Sequence, residues 1–450
     1  MSGVRPGTRH YTVVCSSCGA RYEDDGLLLD CDRPHEPAFL RTDYNRTGTR
    51  TGESAGLFRH ASLLPVTRTF PDVPGPVVHA AERLGRRIGL DRLWIAFNGY
   101  WPEREAYLPT CTFKDLEAYT VLGRLPAEPP VLVIPSAGNT AAAFAWAATR
   151  HQVPCLLVVP APALERMRFP APLDPRVRIV VLDGTATYSD AIACADLLSA
   201  FPGHHAEGGS RNVGRRDGLG TVMLAAADAL GRLPETYVQA VGSGTGAIGA
   251  HEAARRLRTE GEAPPRLLMC QNAPFAPLYD AWRCTGAAPA DPAPRLDRDR
   301  DRAPHFDRDR EHEPLARELT NRRPPFTVRG GVRDVLTESG GDVLCTDNVA
   351  ALDAMALFEE VEGIDIEPGA GVALAALAEA ARAGRVRRDE LVLLNITGGG
   401  RARQARDLPL IPAAPWLRVP WPGRDEGPRA VAELVARQLT GLTAVTEAAR

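Results

Sequence analysis

The chain repeatedly writes short, unbroken runs of apolar residues: "PVLVIPSAGN" (130–139), "PCLLVVPA" (154–161), "VRIVVLDG" (177–184), "TYVQAVGSG" (236–244), "RLLMCQN" (266–272) and "ELVLLNITGGG" (390–400). A strand with one face in water alternates apolar and polar residues. A run without alternation must be covered on both faces, as parallel strands between helices are. Helical patterns fill the intervals, among them "FKDLEAYTVLGRL" (113–125), "TAAAFAWAATR" (140–150), "TVMLAAADALG" (221–231) and "GAIGAHEAARRL" (246–257). Strand–helix repetition of this kind predicts an α/β fold with parallel sheets.

Three segments depart from that rhythm. Residues 1–45 read as a small ribbon and 46–75, rich in Thr, Gly and Pro, as an arm or linker. The stretch 292–314, "PAPRLDRDRDRAPHFDRDREHEP", mixes Asp and Arg without apolar periodicity, so it is expected to be an exposed loop. In the ribbon, Cys15 and Cys18 form a C-x2-C knuckle, and Cys31 and His35 follow as a C-x3-H pair. Four such ligands suit a structural tetrahedral zinc; the alternative is a degenerate ribbon that folds without metal. The other six cysteines are scattered, which suits a reducing cytoplasm better than a disulfide framework. A net charge of −3 offers no general attraction to nucleic acid. No run of about 20 apolar residues predicts a membrane span, and "MSGVRPGTRHYTVVC" lacks the apolar core of a signal peptide.

Of 53 lysine and arginine residues a single one, Lys114, is lysine. Arginine matches lysine as a surface charge, but a guanidinium stays protonated, whereas a desolvated lysine amine can lose its proton and attack a carbonyl. Three turns at strand ends supply further chemistry. In "VGSGTGAIGA" the residues Gly242, Gly244 and Gly246 expose backbone N–H groups, Ser243 and Thr245 add hydroxyls, and a helix N-terminus follows; the set suits a phosphate. Its G-x-G-x-G form is neither a dinucleotide fingerprint nor a P-loop. In "PSAGNTAAAF", Ser136, Asn139 and Thr140 crowd small polar groups at a helix start, where plain N-capping by Asn139 or Thr140 is the simpler explanation. In "LLNITGGGR", Thr397 ends a strand beside three glycines. One reactive amine, a phosphate loop, a small polar loop and a strand-end hydroxyl together match what a phosphorylated aldehyde cofactor, pyridoxal phosphate, requires.

Taken in order, these motifs resemble the pyridoxal-phosphate enzymes of the tryptophan-synthase-β fold, in particular the threonine synthase branch. "TCTFKD" is similar to that branch's "GSFKD" at Phe113, Lys114 and Asp115; Ser136 to Thr140 match its "S-x-G-N-T", "EGIDIEP" (362–368) its E-G-x-x-x-E-P stretch, and Thr397 and Gly398 its final "TG". The resemblance implies two parallel-sheet α/β domains with the cofactor between them: a large one from 76–110 and 206–450, and a small one from 111–205. It implies that Lys114 carries the cofactor, Gly242 to Gly246 its phosphate, Asn139 its ring hydroxyl and Thr397 its pyridine nitrogen, with Ser136 and Thr140 near the substrate carboxylate. It also implies a homodimer. "FNGYWPERE" (97–105) and "RRDGLGTVML" (215–224) resemble the cysteate synthases, which join O-phosphoserine and sulfite. "TCTFKDLEA" and "TGGGRA" depart from the threonine synthase patterns "TGSFKDRG" and "TGHGLKD". Phosphate and sulfite are both dianions, so arginine is their natural partner; Arg104, Arg215 and Arg216 lie in the stretches that carry this resemblance. Alternatives are threonine synthase-like chemistry on O-phosphohomoserine, β-replacement with another nucleophile, and a regulatory zinc-ribbon protein with an inactive domain.

Overall fold

In the computed structural model, which describes residues 9–44, 55–258, 261–286, 313–423 and 426–448, the apolar runs form the strands of two parallel sheets. The smaller has five strands in the order His204–Ala206, Val131–Pro135, Cys155–Pro160, Val177–Leu182 and Leu417–Val419, all parallel. The larger has six: Asp342–Thr346, Arg266–Asn272, Thr236–Ala240, Val392–Ile396 and Leu93–Phe97 run parallel, and Val77–Ala80 closes one edge antiparallel. Helices cover both faces, which is why strands such as Cys155–Pro160 and Val392–Ile396 are buried at every position. The three polar turns all follow carboxyl ends of strands, where open α/β sheets place their ligands.

Two boundaries differ from the sequence reading. A large domain running to residue 450 would own the C-terminal segment, yet Leu417–Val419 pairs with Val177–Leu182 of the five-stranded sheet. The helix Gly427–Ala448 buries Val431 and Val435 in the apolar cluster of that same sheet. An apolar strand end and an apolar helix face fill the uncovered edge there, irrespective of sequence distance. The arm expected over 46–75 is packed structure where it is described, from residue 55 on: the helical turn Leu57–Leu63 buries Leu57, Phe58 and Leu63 against the main core. The charged segment expected over 292–314 lies, up to residue 312, outside the described residues.

The ribbon is a three-stranded antiparallel sheet, Arg21–Tyr22, Tyr11–Cys15 and Leu40–Tyr44. Its core is small, so polar locks fix it to the neighbouring helices. Asp24 receives both Nε (2.8 Å) and Nη2 (2.6 Å) of Arg124, in the last turn of the helix Lys114–Arg124. Asp217, in the helix Val213–Leu230, accepts from Thr42, Tyr44 and Arg256, each at 2.6 Å. The neighbouring Arg216 donates to the Leu40 carbonyl and lies 4.9 Å over the Phe39 ring.

Candidate active site

The helix that begins at Lys114 is anchored from below. The buried Asp115 carboxylate accepts from the backbone N–H and hydroxyl of Thr110, both at 2.9 Å. Cys111 adopts φ 56°, the left-handed conformation that the glycine of the threonine synthase pattern would take without strain. The Phe113 N–H donates to the Thr397 carbonyl (3.0 Å) and the Gly399 N–H to the Cys111 carbonyl (3.1 Å), so the lysine loop is sewn to the end of strand Val392–Ile396. Lys114 Nζ lies 3.3 Å from Glu117 Oε2 and 4.8 Å from the Phe113 ring centre. Burial pushes its pKa down, and the Glu117 carboxylate opposes that shift.

At the second turn the capping group is Ser136, not Asn139 or Thr140. Ser136 Oγ accepts from Gly138 N (3.1 Å) and Ala141 N (2.9 Å), satisfying orphan donors of the helix Asn139–His151. The side chains of Asn139 and Thr140 are therefore directed elsewhere. Asn139 Nδ2 donates to Glu367 Oε2 at 3.0 Å, its Oδ1 accepts from Arg401 at 3.3 Å, and Arg401 also pairs with Glu367. Thr140 Oγ1 donates to Glu117 Oε1 at 2.9 Å.

The glycine turn ends strand Thr236–Ala240 and opens the helix Thr245–Leu257. Gly244 has φ 79°, and a Cβ there would stand 2.6 Å from Val332 Cγ2; at Gly246 it would meet Gln239 Nε2 at 2.6 Å. The bare backbone is thus required for the turn to close. Ser243 Oγ and Thr245 Oγ1 are 2.7 Å apart, and the Ser210 hydroxyl reaches the same Thr245 oxygen. Three hydroxyls at a helix N-terminus form a donor set that fits a phosphate.

All of these turns face one cavity of about 260 Å³, lined by Lys114, Ser136, Asn139, Thr140, residues 242–246, Thr397 and Arg215. Of the three arginines weighed from the sequence, only Arg215 lines it. Arg104 sits exposed on the short turn Pro102–Arg104, 5.2 Å over the Trp101 ring. Arg216 is fully buried and committed to Glu252 and the ribbon. The two neighbours point different ways because consecutive helix positions are about 100° apart. Residues not singled out from the sequence complete the surroundings. Ser210, Tyr188, Glu318 and Glu367 line the cavity, while Glu117 and Glu207 lie behind its wall and hold Arg215 by ion pairs. Glu117 did leave a signal, since it stands where the threonine synthase pattern has its second glycine.

In the ribbon, one ligand atom from each of Cys15, Cys18, Cys31 and His35 lies within 4.8 Å of the others. Cys15 Sγ is 3.3 Å from His35 Nε2, and Cys18 Sγ is 3.7 Å from Cys31 Sγ. A zinc with Zn–S bonds of about 2.3 Å separates its ligands by ~3.8 Å, so the cluster fits that ion. His35 Nδ1 lies 2.6 Å from the Glu36 carbonyl, a contact that leaves Nε2 for the metal.

The fold and cavity are those of a pyridoxal-phosphate dependent enzyme, and the family model of that description matches residues 78–398. Among curated proteins the chain is 38% identical over 413 residues to the cysteate synthase of Methanosarcina mazei, covering 91% of this chain and 96% of that one. It is 42% identical over 413 residues to the cysteate synthase of Methanoculleus marisnigri, with 91% and 93% covered. The chain belongs to the cysteate synthase family of pyridoxal-phosphate dependent enzymes. Solved structures share the fold at lower identity. Maize serine racemase superposes with TM-score 0.54 at 17% identity, over 73% of this chain and 90% of that one. The serine racemase of Dictyostelium discoideum gives 0.51 at 17%, over 72% and 92%. Among the described residues no helix is long and apolar enough to cross a membrane.

Proposed function

We propose that the chain makes L-cysteate and phosphate from O-phospho-L-serine and sulfite. The observation that carries this reading is Arg215, a cation aimed into the same cavity as Lys114 and the glycine loop, in a chain similar to cysteate synthases. When bound, pyridoxal phosphate supplies an aldehyde for an amine and an electron sink for charge at the substrate α-carbon. Lys114 holds it, then takes the α-proton once its amine is released, and returns it at the end. Ser210, Ser243 and Thr245 with the N–H groups of 242–246 hold the cofactor phosphate, Asn139 its ring hydroxyl and Thr397 its ring nitrogen. The start of the helix Asn139–His151, with Ser136 and Thr140 beside it, receives the substrate carboxylate. Arg215 stabilises the departing phosphate as the Cβ–O bond breaks, then the incoming sulfite as a C–S bond forms at the same carbon. One cation serves both dianions in turn. The ribbon ligands Cys15, Cys18, Cys31 and His35 would hold a structural zinc, and we infer a homodimer, as the family resemblance implies; the oligomeric state is checked by light scattering.

The test offers purified enzyme O-phosphoserine, O-acetylserine and O-phosphohomoserine in turn, each with sulfite, sulfide or water. Cysteate from O-phosphoserine plus sulfite is expected. Threonine from O-phosphohomoserine and water, without cysteate, would overturn the reading.

A further inference from the structure

Glu117 is a fully buried carboxylate that does not line the cavity, yet its two oxygens serve three cavity groups. Oε2 faces Lys114 Nζ at 3.3 Å; Oε1 accepts from Thr140 Oγ1 at 2.9 Å and pairs with Arg215 Nη1 at 3.2 Å. Glu207, equally buried, takes Arg215 Nε at 2.9 Å and also Nη2. Lys114, Arg215, Glu117 and Glu207 thus form a quartet of two cations and two anions, neutral when Lys114 is protonated. Once the amine loses its proton, the quartet carries one net negative charge, which draws a proton back to Nζ. The other charged or titratable groups lining this space are Tyr188, beside Arg215 and the two glutamates, and Arg317, Glu318 and Glu367; among the described residues, Glu117 is the ion-pair partner of Lys114.

We propose that Glu117 is a positioning residue that sets the proton affinity of Lys114 and, together with Glu207, aims the Arg215 guanidinium into the cavity. The inference rests on Lys114 being the amine that holds the cofactor. It gives the lysine two opposed influences. Desolvation favours the neutral amine needed for attack, and the Glu117 carboxylate favours the ammonium formed on taking a substrate proton. It also accounts for the departure from the threonine synthase pattern, whose glycine at this position has no carboxylate to offer.

Because Lys114 is the only lysine in the chain, its titration can be read directly. Full-length protein freed of cofactor is reductively methylated with 13C-formaldehyde, which leaves one dimethyl-lysine signal beside that of the chain amino group. Its NMR shift is then followed against pH in wild type, Glu117→Gln and Glu207→Gln. The Lys114 midpoint should fall by about one to three units in Glu117→Gln, the range for loss of an opposite charge within a few ångströms. It should fall less in Glu207→Gln, whose carboxylate acts on the lysine more weakly than that of Glu117. A Glu117→Gln midpoint within about 0.3 unit of wild type overturns the proposal. Should Glu117→Gln not fold, Arg215→Gln carries the test: loss of the neighbouring cation must raise the midpoint, and an unchanged or lower one overturns it. The measurement needs neither substrate nor turnover. A shifted midpoint without cysteate formation would keep this inference and sink the substrate reading, and cysteate formation with an unshifted midpoint would do the reverse.

Discussion

The ribbon and the cavity are braced by shared helices but built on opposite principles. The helix Lys114–Arg124 presents Lys114 to the cavity and Arg124 to Asp24 of the ribbon, and the helix Val213–Leu230 sends Arg215 one way and Arg216 the other. The ribbon draws its four ligands from one short stretch, 15–35, and has a small apolar core of Tyr11, Val13, Cys15, Ala20 and Leu40 with Val213 of the helix. The cavity gathers its groups from positions between 113 and 397, most of them carried by elements seated in the apolar clusters of the two sheets. A local site needs ligation or polar locks to hold its shape, because it buries too little to order itself. A distributed site inherits its rigidity from the sheets that carry it.

The sharpest way to separate the two is Lys114→Arg. Cysteate formation should disappear and the purified protein should be colourless and resist borohydride fixation of the cofactor. Metal content and the melting temperature of cofactor-free protein should stay near wild type; retained turnover would reduce Lys114 to an accident of composition. The joint between the regions is tested by Arg124→Ala. It removes two charge-assisted hydrogen bonds from the buried Asp24 carboxylate, which Arg9 (3.1 Å) and the Tyr11 hydroxyl (2.6 Å) still reach, so about 3 kcal/mol of stability should be lost. Adding Asp24→Ala should recover part of that loss, and a purely additive double mutant would show that the pair does not couple ribbon to helix.

Chelation of the zinc proposed for the ribbon comes next. At metal a hundredfold above its dissociation constant, binding stabilises by about 3 kcal/mol. A chelator should therefore lower the melting temperature and open residues 9–44 to protease while the cofactor spectrum is unchanged; loss of colour on chelation would show that the two regions are not independent. Thr245→Val acts on the cavity alone. Removing one hydroxyl donor to a phosphate should cost roughly 1.5–3 kcal/mol of cofactor affinity, about 10- to 150-fold. The melting temperature of cofactor-free protein should barely move, and equal damage to both would make the loop only a turn. The smallest effect belongs to Arg104→Ala, which should leave kcat/KM within about twofold of wild type, as surface substitutions usually do, whereas Arg215→Ala should lower it severely.

What the sequence determined by itself is whatever depends on neighbours along the chain. Buried strands announce themselves as unbroken apolar runs because both faces must be apolar, and each turn's polar residues follow directly from the strand it ends. The four ribbon ligands lie close enough in sequence for their spacing to describe the cluster, and Lys114 stands out because no other residue in the chain can do its chemistry. The tertiary structure decided what depends on distance between remote segments. It gave Leu417–Val419 to the small sheet, made Ser136 rather than Asn139 or Thr140 the cap, chose Arg215 over Arg104 and Arg216, and surrounded Lys114 with Glu117, Arg215 and Glu207. Glu117 and Glu207 are 90 residues apart in the chain and meet on one guanidinium. A sequence records which charges exist, but burial and packing fix which of them lie within ion-pair range, and there the low dielectric makes each ångström count.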